Sequence, residues 1–135
     1  MTPRADVPAL ASVFAGGALG GLLRWAIDSA FAWTHPWEIV AVNVAGSAML
    51  GVFAAVTAKH PRPRLYAFAG PGLLGGFTTF SGLAAFAWTG ADAAGSVALL
   101  LGCVAGSVAA AAAGWIVGTR AVRGGDATPE PEVVP

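Results

Sequence analysis

Four long apolar stretches run along this chain, each closed by a short cluster of polar residues or proline. The first extends from about Ala9 to Trp33, carries Arg24 and Asp28 in its second half, and ends at Thr34-His35-Pro36. The second runs from about Trp37 to Ala58, with Asn43 near its start, and is followed by the basic, proline-punctuated loop KHPRPR at 59–64. The third runs from about Leu65 to Trp88 and the turn Thr89-Gly90-Ala91-Asp92 separates it from the fourth, at about Ala93–Thr119. Each stretch reaches the roughly 20 apolar residues that an α-helix needs to cross hydrocarbon. The pattern predicts an all-α membrane protein of four transmembrane helices. A short segment, 1–8, precedes the membrane domain at 9–119, and a polar, proline-rich tail at 120–135 is expected to be disordered. The first stretch is too long for the apolar region of a cleavable signal peptide and is read as a span that stays in the protein.

Composition strengthens this picture. Hydrophobic residues make up 56% of the 135 and charged residues only 10%, with mean hydropathy +0.71. Soluble domains carry about a quarter charged residues, so this chain lacks the polar surface to cover a core in water. Membrane lipid is its natural surroundings. Formal net charge is zero, which removes the basic surface that nucleic acid would need. The single cysteine, Cys103, builds neither a disulfide framework nor a cysteine metal site and is read as a small buried residue. His35 and His60 fall in loops and are read as solvated. No nucleophile, base and orienting group fall together, so an enzyme is not expected and no catalytic residue is assigned.

Charge placement orients the chain. With four spans, the N-terminus, the 59–64 loop and the C-terminal tail share one side, which holds Arg4, Lys59, Arg62, Arg64, Arg120 and Arg123. The two loops on the other side hold no Lys or Arg. Basic residues gather on the cytoplasmic side of membrane proteins, so both termini are expected there. Glycines recur four apart at Gly16/Gly20, Gly17/Gly21, Gly102/Gly106 and Gly114/Gly118, a spacing that lets membrane helices approach closely. Trp33, Trp37, Trp88 and Trp115 fall near span ends, where indoles favour the interface.

Polar groups inside the spans are the candidates for chemistry. Arg24 costs about 2.5–3.5 kcal/mol to insert at the centre of a span. Asp28 follows one helical turn later, so the two form either a structural ion pair or a positive vestibule for an anion; spacing leaves both open. Asn43, with Ser47 one turn on, serves either as glue between helices or as an N–H donor to an anion. The stretch LLGGFTTFSG at 73–82 is a poor continuous helix. Gly72, Gly75 and Gly76 weaken it and Pro71 removes a donor. Irregular backbone at membrane depth survives only where it is buried in protein or lines a cavity. The third helix is therefore expected to be interrupted near its middle. Freed carbonyls there suit a small cation and freed N–H groups an anion, with Thr78, Thr79, Ser81 and the Phe80 ring edge added around them.

GGALGGLLRW in the first span, NVAGSAMLG in the second and GLLGGFTTFS in the third resemble the CrcB or Fluc family of small bacterial fluoride channels, over residues 9 to 119. The resemblance implies an antiparallel dual-topology dimer with two narrow pores, through which fluoride leaves the cell passively. It implies a structural, untransported sodium ion at the dimer centre, held by backbone carbonyls that map to Gly75 and Thr78. Asn43, Phe80, Ser81 and Ser107 match pore positions, and Arg24 matches the basic residue of the first span. Two positions depart: Leu83 stands where the family has a second phenylalanine, and Cys103 where it has a tyrosine four residues before the serine. The one-sided charge and Leu83 imply pairing with a paralogue inserted the other way up, although a homodimer stays open. Two rivals are a small multidrug-type transporter, which needs a free carboxylate near the middle of the first span, and a non-conducting membrane scaffold, which would not need GGFTTFS.

Overall fold

A computed structural model of the chain describes residues 6–30, 36–89 and 92–125. Arg4, Trp33, His35, the Gly90-Ala91 part of the third turn and the tail beyond residue 125 lie outside the described residues. All the secondary structure among the described residues is helical. Helix α1 spans Val7–Ala30, α2 spans Pro36–Lys59 and α6 spans Ala93–Gly125. These three are long and apolar enough to cross a membrane. The third stretch is broken into α3 (Pro63–Ala67), a π-helical turn (Phe68–Leu74), α4 (Gly75–Phe77) and α5 (Phe80–Thr89).

Local chemistry sets these boundaries. Asp6 caps α1 through the backbone N–H of Ala9 at 3.3 Å, and Asp92 caps α6 through that of Gly95 at 2.5 Å. In each case a carboxylate takes up a donor that the first helical turn leaves unpaired. Ser96 then ties the start of α6 to the end of α5 by donating to the Ala87 carbonyl at 2.6 Å. Pro63 begins α3, where its missing N–H costs nothing. Pro71 lies inside the π turn. A proline ring collides with the carbonyl four residues back in an α-helix, and the wider turn relieves that collision without ending the span. At its far end α6 runs through Arg120–Gly125, into the segment expected to be disordered tail.

Close approach at glycine fixes the helix pairs. A Cβ on Gly51 would lie against the Ala111 carbonyl oxygen, and one on Gly114 against that of Ala48, so α2 and α6 meet backbone to backbone. Gly118 faces Val52 and Ala55 on the same seam. The order of these contacts shows that α2 and α6 run in the same direction. The second seam joins α1 to the first half of the third span. Gly16 abuts the carbonyl of Phe68 and Gly20 that of Leu73, while a Cβ on Gly76 would stand 2.6 Å from the Gly17 carbonyl oxygen. These elements are also parallel. The Asp6 end of α1, the 59–64 loop and the end of α6 therefore share one side, as the charge pattern expects. By contrast Gly21 and Gly102 face open space.

The third span changes partners along its length. Its first half packs on α1, whereas α5 packs on α6 and α2. Leu83 of α5, only 1% exposed, sits with Ile39 and Cys103 at the centre of the small apolar core there. Many other large apolar side chains face outward, among them Phe14 and Trp88, as expected of a subunit solvated by lipid or by another protein.

The α2–α6 seam gives a direct test. Gly114→Leu forces a side chain into backbone contact, and overpacking of this kind costs about 1–3 kcal/mol or more. Gly102→Ala, in open space, is expected to be neutral or to gain up to about 1 kcal/mol, because a helix-interior glycine is replaced without a clash. Unfolding of both variants in detergent micelles checks the contrast; equal stabilities would show that the seam does not hold the subunit together.

Candidate functional site

The helix of the third span fails at Thr78, not at the glycines that weaken it. Thr78 has extended backbone, φ −75° and ψ 151°. Gly72 and Gly76 instead serve the seam with α1, where Gly72 lies against the Val13 carbonyl and Gly76 against that of Gly17. Gly75 remains in the helical turn, its surface exposed.

Asn43 of α2 takes over at the break. The Thr79 backbone N–H donates to Asn43 Oδ1 at 2.8 Å, and Asn43 Nδ2 donates to the Thr79 carbonyl at 2.9 Å. The same amide nitrogen approaches Cys103 Sγ at 3.7 Å. The side chain is 7% exposed, so this clasp sits in a low-dielectric setting where an unpaired amide would be expensive. Thr79 in turn caps α5: its hydroxyl oxygen accepts from the backbone N–H of Gly82 at 3.1 Å and exchanges a hydrogen bond with Ser81 Oγ at 3.1 Å.

These substitutions of partner have a definite result for the carbonyls. In an unbroken helix the Thr79 N–H would bond to the Gly75 carbonyl and the Gly82 N–H to that of Thr78. Here the first goes to Asn43 and the second to Thr79 Oγ1. The carbonyls of Gly75 and Thr78 lose their helical donors, and Gly75 keeps only a long contact of 3.4 Å from Thr78 Oγ1. Both are hard oxygen donors of the kind that suits a small cation. Two are fewer than such a cation takes, so a complete cage would need oxygens from another copy or from water.

Beside the break lies a cleft of about 250 Å³ whose lining includes Asn43, Ser47, Thr78, Phe80, Cys103 and Ser107. Residues from α2, α5 and α6, separated by more than 60 positions in the chain, thus converge on one polar-edged space. Phe80 is 66% exposed and presents its ring at the mouth. Ser81 is exposed and not on this lining, and Arg24 stands apart on α1, where its Nη1 pairs with Asp28 Oδ2 at 3.2 Å. The two departures from the family pattern behave differently. Cys103 lines the cleft, whereas Leu83 is buried behind it against Ile39 and Cys103.

Sequence reasoning found Asn43 but not its partner, and counted Thr79 only among the hydroxyls, not as the residue that caps α5. A threonine immediately before Phe80, with its third residue on at Gly82, is the available cap signal; the bond across 36 residues to Asn43 has no local signature.

Long apolar helices in parallel pairs, with a broken third span beside a polar cleft, define a multi-pass helical membrane protein. Residues 11–119 match the family described as CrcB-like protein, Camphor Resistance (CrcB), and the chain belongs to that family. It is 41% identical over 130 residues to the fluoride-specific ion channel FluC 2 of Nocardia farcinica, covering 90% of this chain and 89% of that one. It is 37% identical over 112 residues to the fluoride-specific ion channel FluC of Paracoccus denitrificans, covering 81% and 90%. A FluC 2 channel of Thermobifida fusca is 48% identical over 80 residues, covering 55% and 58%.

The clasp predicts the behaviour of Asn43 variants. Asn43→Ala strands both the N–H and the carbonyl of Thr79, at about 1–3 kcal/mol for each buried unpaired group. Asn43→Asp keeps the acceptor for the Thr79 N–H but loses the donors to the Thr79 carbonyl and Cys103, so an intermediate loss is expected. Unfolding in micelles, with hydrogen exchange at the Thr79 amide, checks this order; an Asn43→Ala chain with a still-protected Thr79 amide would sink it.

Proposed function

We propose that this chain is a subunit of a fluoride-specific channel that lowers cytoplasmic fluoride by passive efflux across a bacterial plasma membrane. The observation that carries the reading is the break at Thr78, clasped by Asn43, with Phe80 and Ser107 on the adjoining cleft. The names of the related channels support fluoride as the ion. A small anion in such a cleft would meet hydroxyl donors from Ser47 and Ser107 and the positive edge of the Phe80 ring, the Thr78 hydroxyl being taken by the Leu74 carbonyl at 3.1 Å. Asn43 acts here chiefly as a positioning residue, since both ends of its amide are committed. Ser81 joins the pathway from the exposed side of α5, and Arg24, held by Asp28, is the basic group toward the end of α1.

A structural sodium ion fits the released carbonyls of Gly75 and Thr78, which another copy would complete. The exposure of Gly75 and Phe80 supports a second subunit at this face. We propose an antiparallel arrangement, with both termini of this chain cytoplasmic and an oppositely inserted paralogue as the partner. The one-sided basic residues support it, because a chain with so strong a bias does not readily insert both ways. A drug transporter of the small multidrug type is disfavoured, because Asp28 is engaged by Arg24 and is not a free carboxylate.

Efflux from liposomes is the test. Vesicles carrying this chain with an oppositely oriented paralogue are expected to release fluoride but not chloride, and vesicles with this chain alone much more slowly. Replacing sodium by a large organic cation during assembly is expected to lower activity by weakening subunit association. Proton-coupled drug uptake, or no fluoride flux with any paralogue, would overturn the channel reading. Rapid flux from the chain alone would overturn only the paired-subunit reading.

A further inference from the structure

A second cleft, of about 440 Å³, opens at the basic end of the subunit, between the end of α2, the loop that follows it, α3 and α6. Its lining includes Ala54, Ala58, Pro61, Arg62, Tyr66 and Trp115. Thr57 also lines it, but the hydroxyl is spent inside α2 on the carbonyls of Phe53 and Ala54, at 2.8 and 3.2 Å. One wall is stiffened by the Tyr66 ring stacked on Phe53, centroids 6.3 Å apart and planes within 4°. The interior is therefore apolar, and the charged residue on its lining is Arg62.

The seam between α2 and α6 decides what surrounds the mouth. Ala55 faces Gly118, so the end of α2 at Lys59 lies level with the segment holding Arg120 and Arg123. Arg62 follows in the loop and Arg64 in the first turn of α3. Of the described carboxylates, Asp28, Glu38 and Asp92 lie at the opposite end, and Asp6 is used to cap α1. Tyr66 and Trp115 mark the depth at which amphipathic rings prefer the headgroup boundary. The cleft stands roughly two helical turns from Gly75, away from the break.

We propose that this cleft binds one anionic glycerophospholipid, an acyl chain lying against Ala54, Ala58 and Trp115 and the phosphate held by Arg62. A guanidinium presents paired donors that match a phosphate, and the surrounding bases favour a headgroup with net negative charge over a zwitterionic one. The apolar interior selects a lipid over a soluble anion. The inference does not depend on which ion the subunit conducts.

Lipids with brominated acyl chains quench nearby indoles and can test this in nanodiscs. The Trp115 signal is the difference between the wild-type chain and Trp115→Phe, with brominated phosphatidylglycerol or brominated phosphatidylcholine as the probe. Phosphatidylglycerol is expected to quench Trp115 at about fivefold lower mole fraction, the preference that one basic residue near a membrane surface confers. Arg62→Gln, on an exposed loop and so without effect on folding, is expected to narrow the preference while the neighbouring bases keep part of it, and inorganic phosphate in the buffer to leave it intact. Equal quenching by the two lipids, an unchanged preference in Arg62→Gln, displacement by inorganic phosphate, or no quenching by either lipid would each overturn the proposal. The last would mean that protein covers the cleft.

Discussion

The structure depends on one side-chain amide doing the work of two missing backbone partners. A helix that breaks in hydrocarbon leaves N–H and carbonyl groups with no water to take them up. Asn43 reaches from α2 and pairs with both the donor and the acceptor of Thr79. With that pairing in place the third span can turn out of register and leave the carbonyls of Gly75 and Thr78 without helical donors. Without it, a continuous helix would be the cheaper arrangement, and the polar groups at the centre of the subunit would disappear into an ordinary ladder.

The break also marks an exchange of neighbours. Before it the span lies on the glycine face of α1; after it α5 lies on α6 and α2. A straight rod could not follow both surfaces. The extended residue at Thr78 redirects the chain, and the new direction carries Leu83 inward while Phe80 stays at the surface. Packing and ion chemistry are consequently set by the same few bonds.

Much of the architecture was legible in the sequence because its signals are local. Span two was expected at Trp37–Ala58 and α2 is Pro36–Lys59, since an apolar run between a proline and a basic loop has few other ways to fold in lipid. Close approach at Gly16/Gly20 and Gly114/Gly118 followed from four-residue spacing, whereas Gly21 and Gly102 share the spacing and face open space. Spacing identifies a smooth face but not what it meets. The interruption was visible in composition and falls within 73–82 as expected, but the glycines there mark where backbones approach, and the failure of the helix comes where an outside partner competes for its hydrogen bonds. That partner lies 36 residues away, beyond any local pattern. The grouping of Asn43 with Ser107 on one cleft is equally non-local, and only the resemblance to a family brought them together in advance.

The backbone contact between α2 and α6 has a consequence for how the chain is made. Its two faces are separated by some 60 residues, so α2 leaves the ribosome long before the glycines that receive it. During that interval the Gly51 face is bare, and α5, which needs α6 for much of its packing, has no settled bed. Final assembly of the subunit must await the last helix. A nascent chain stalled short of Gly114 would be an incomplete object in the bilayer, open to membrane quality control.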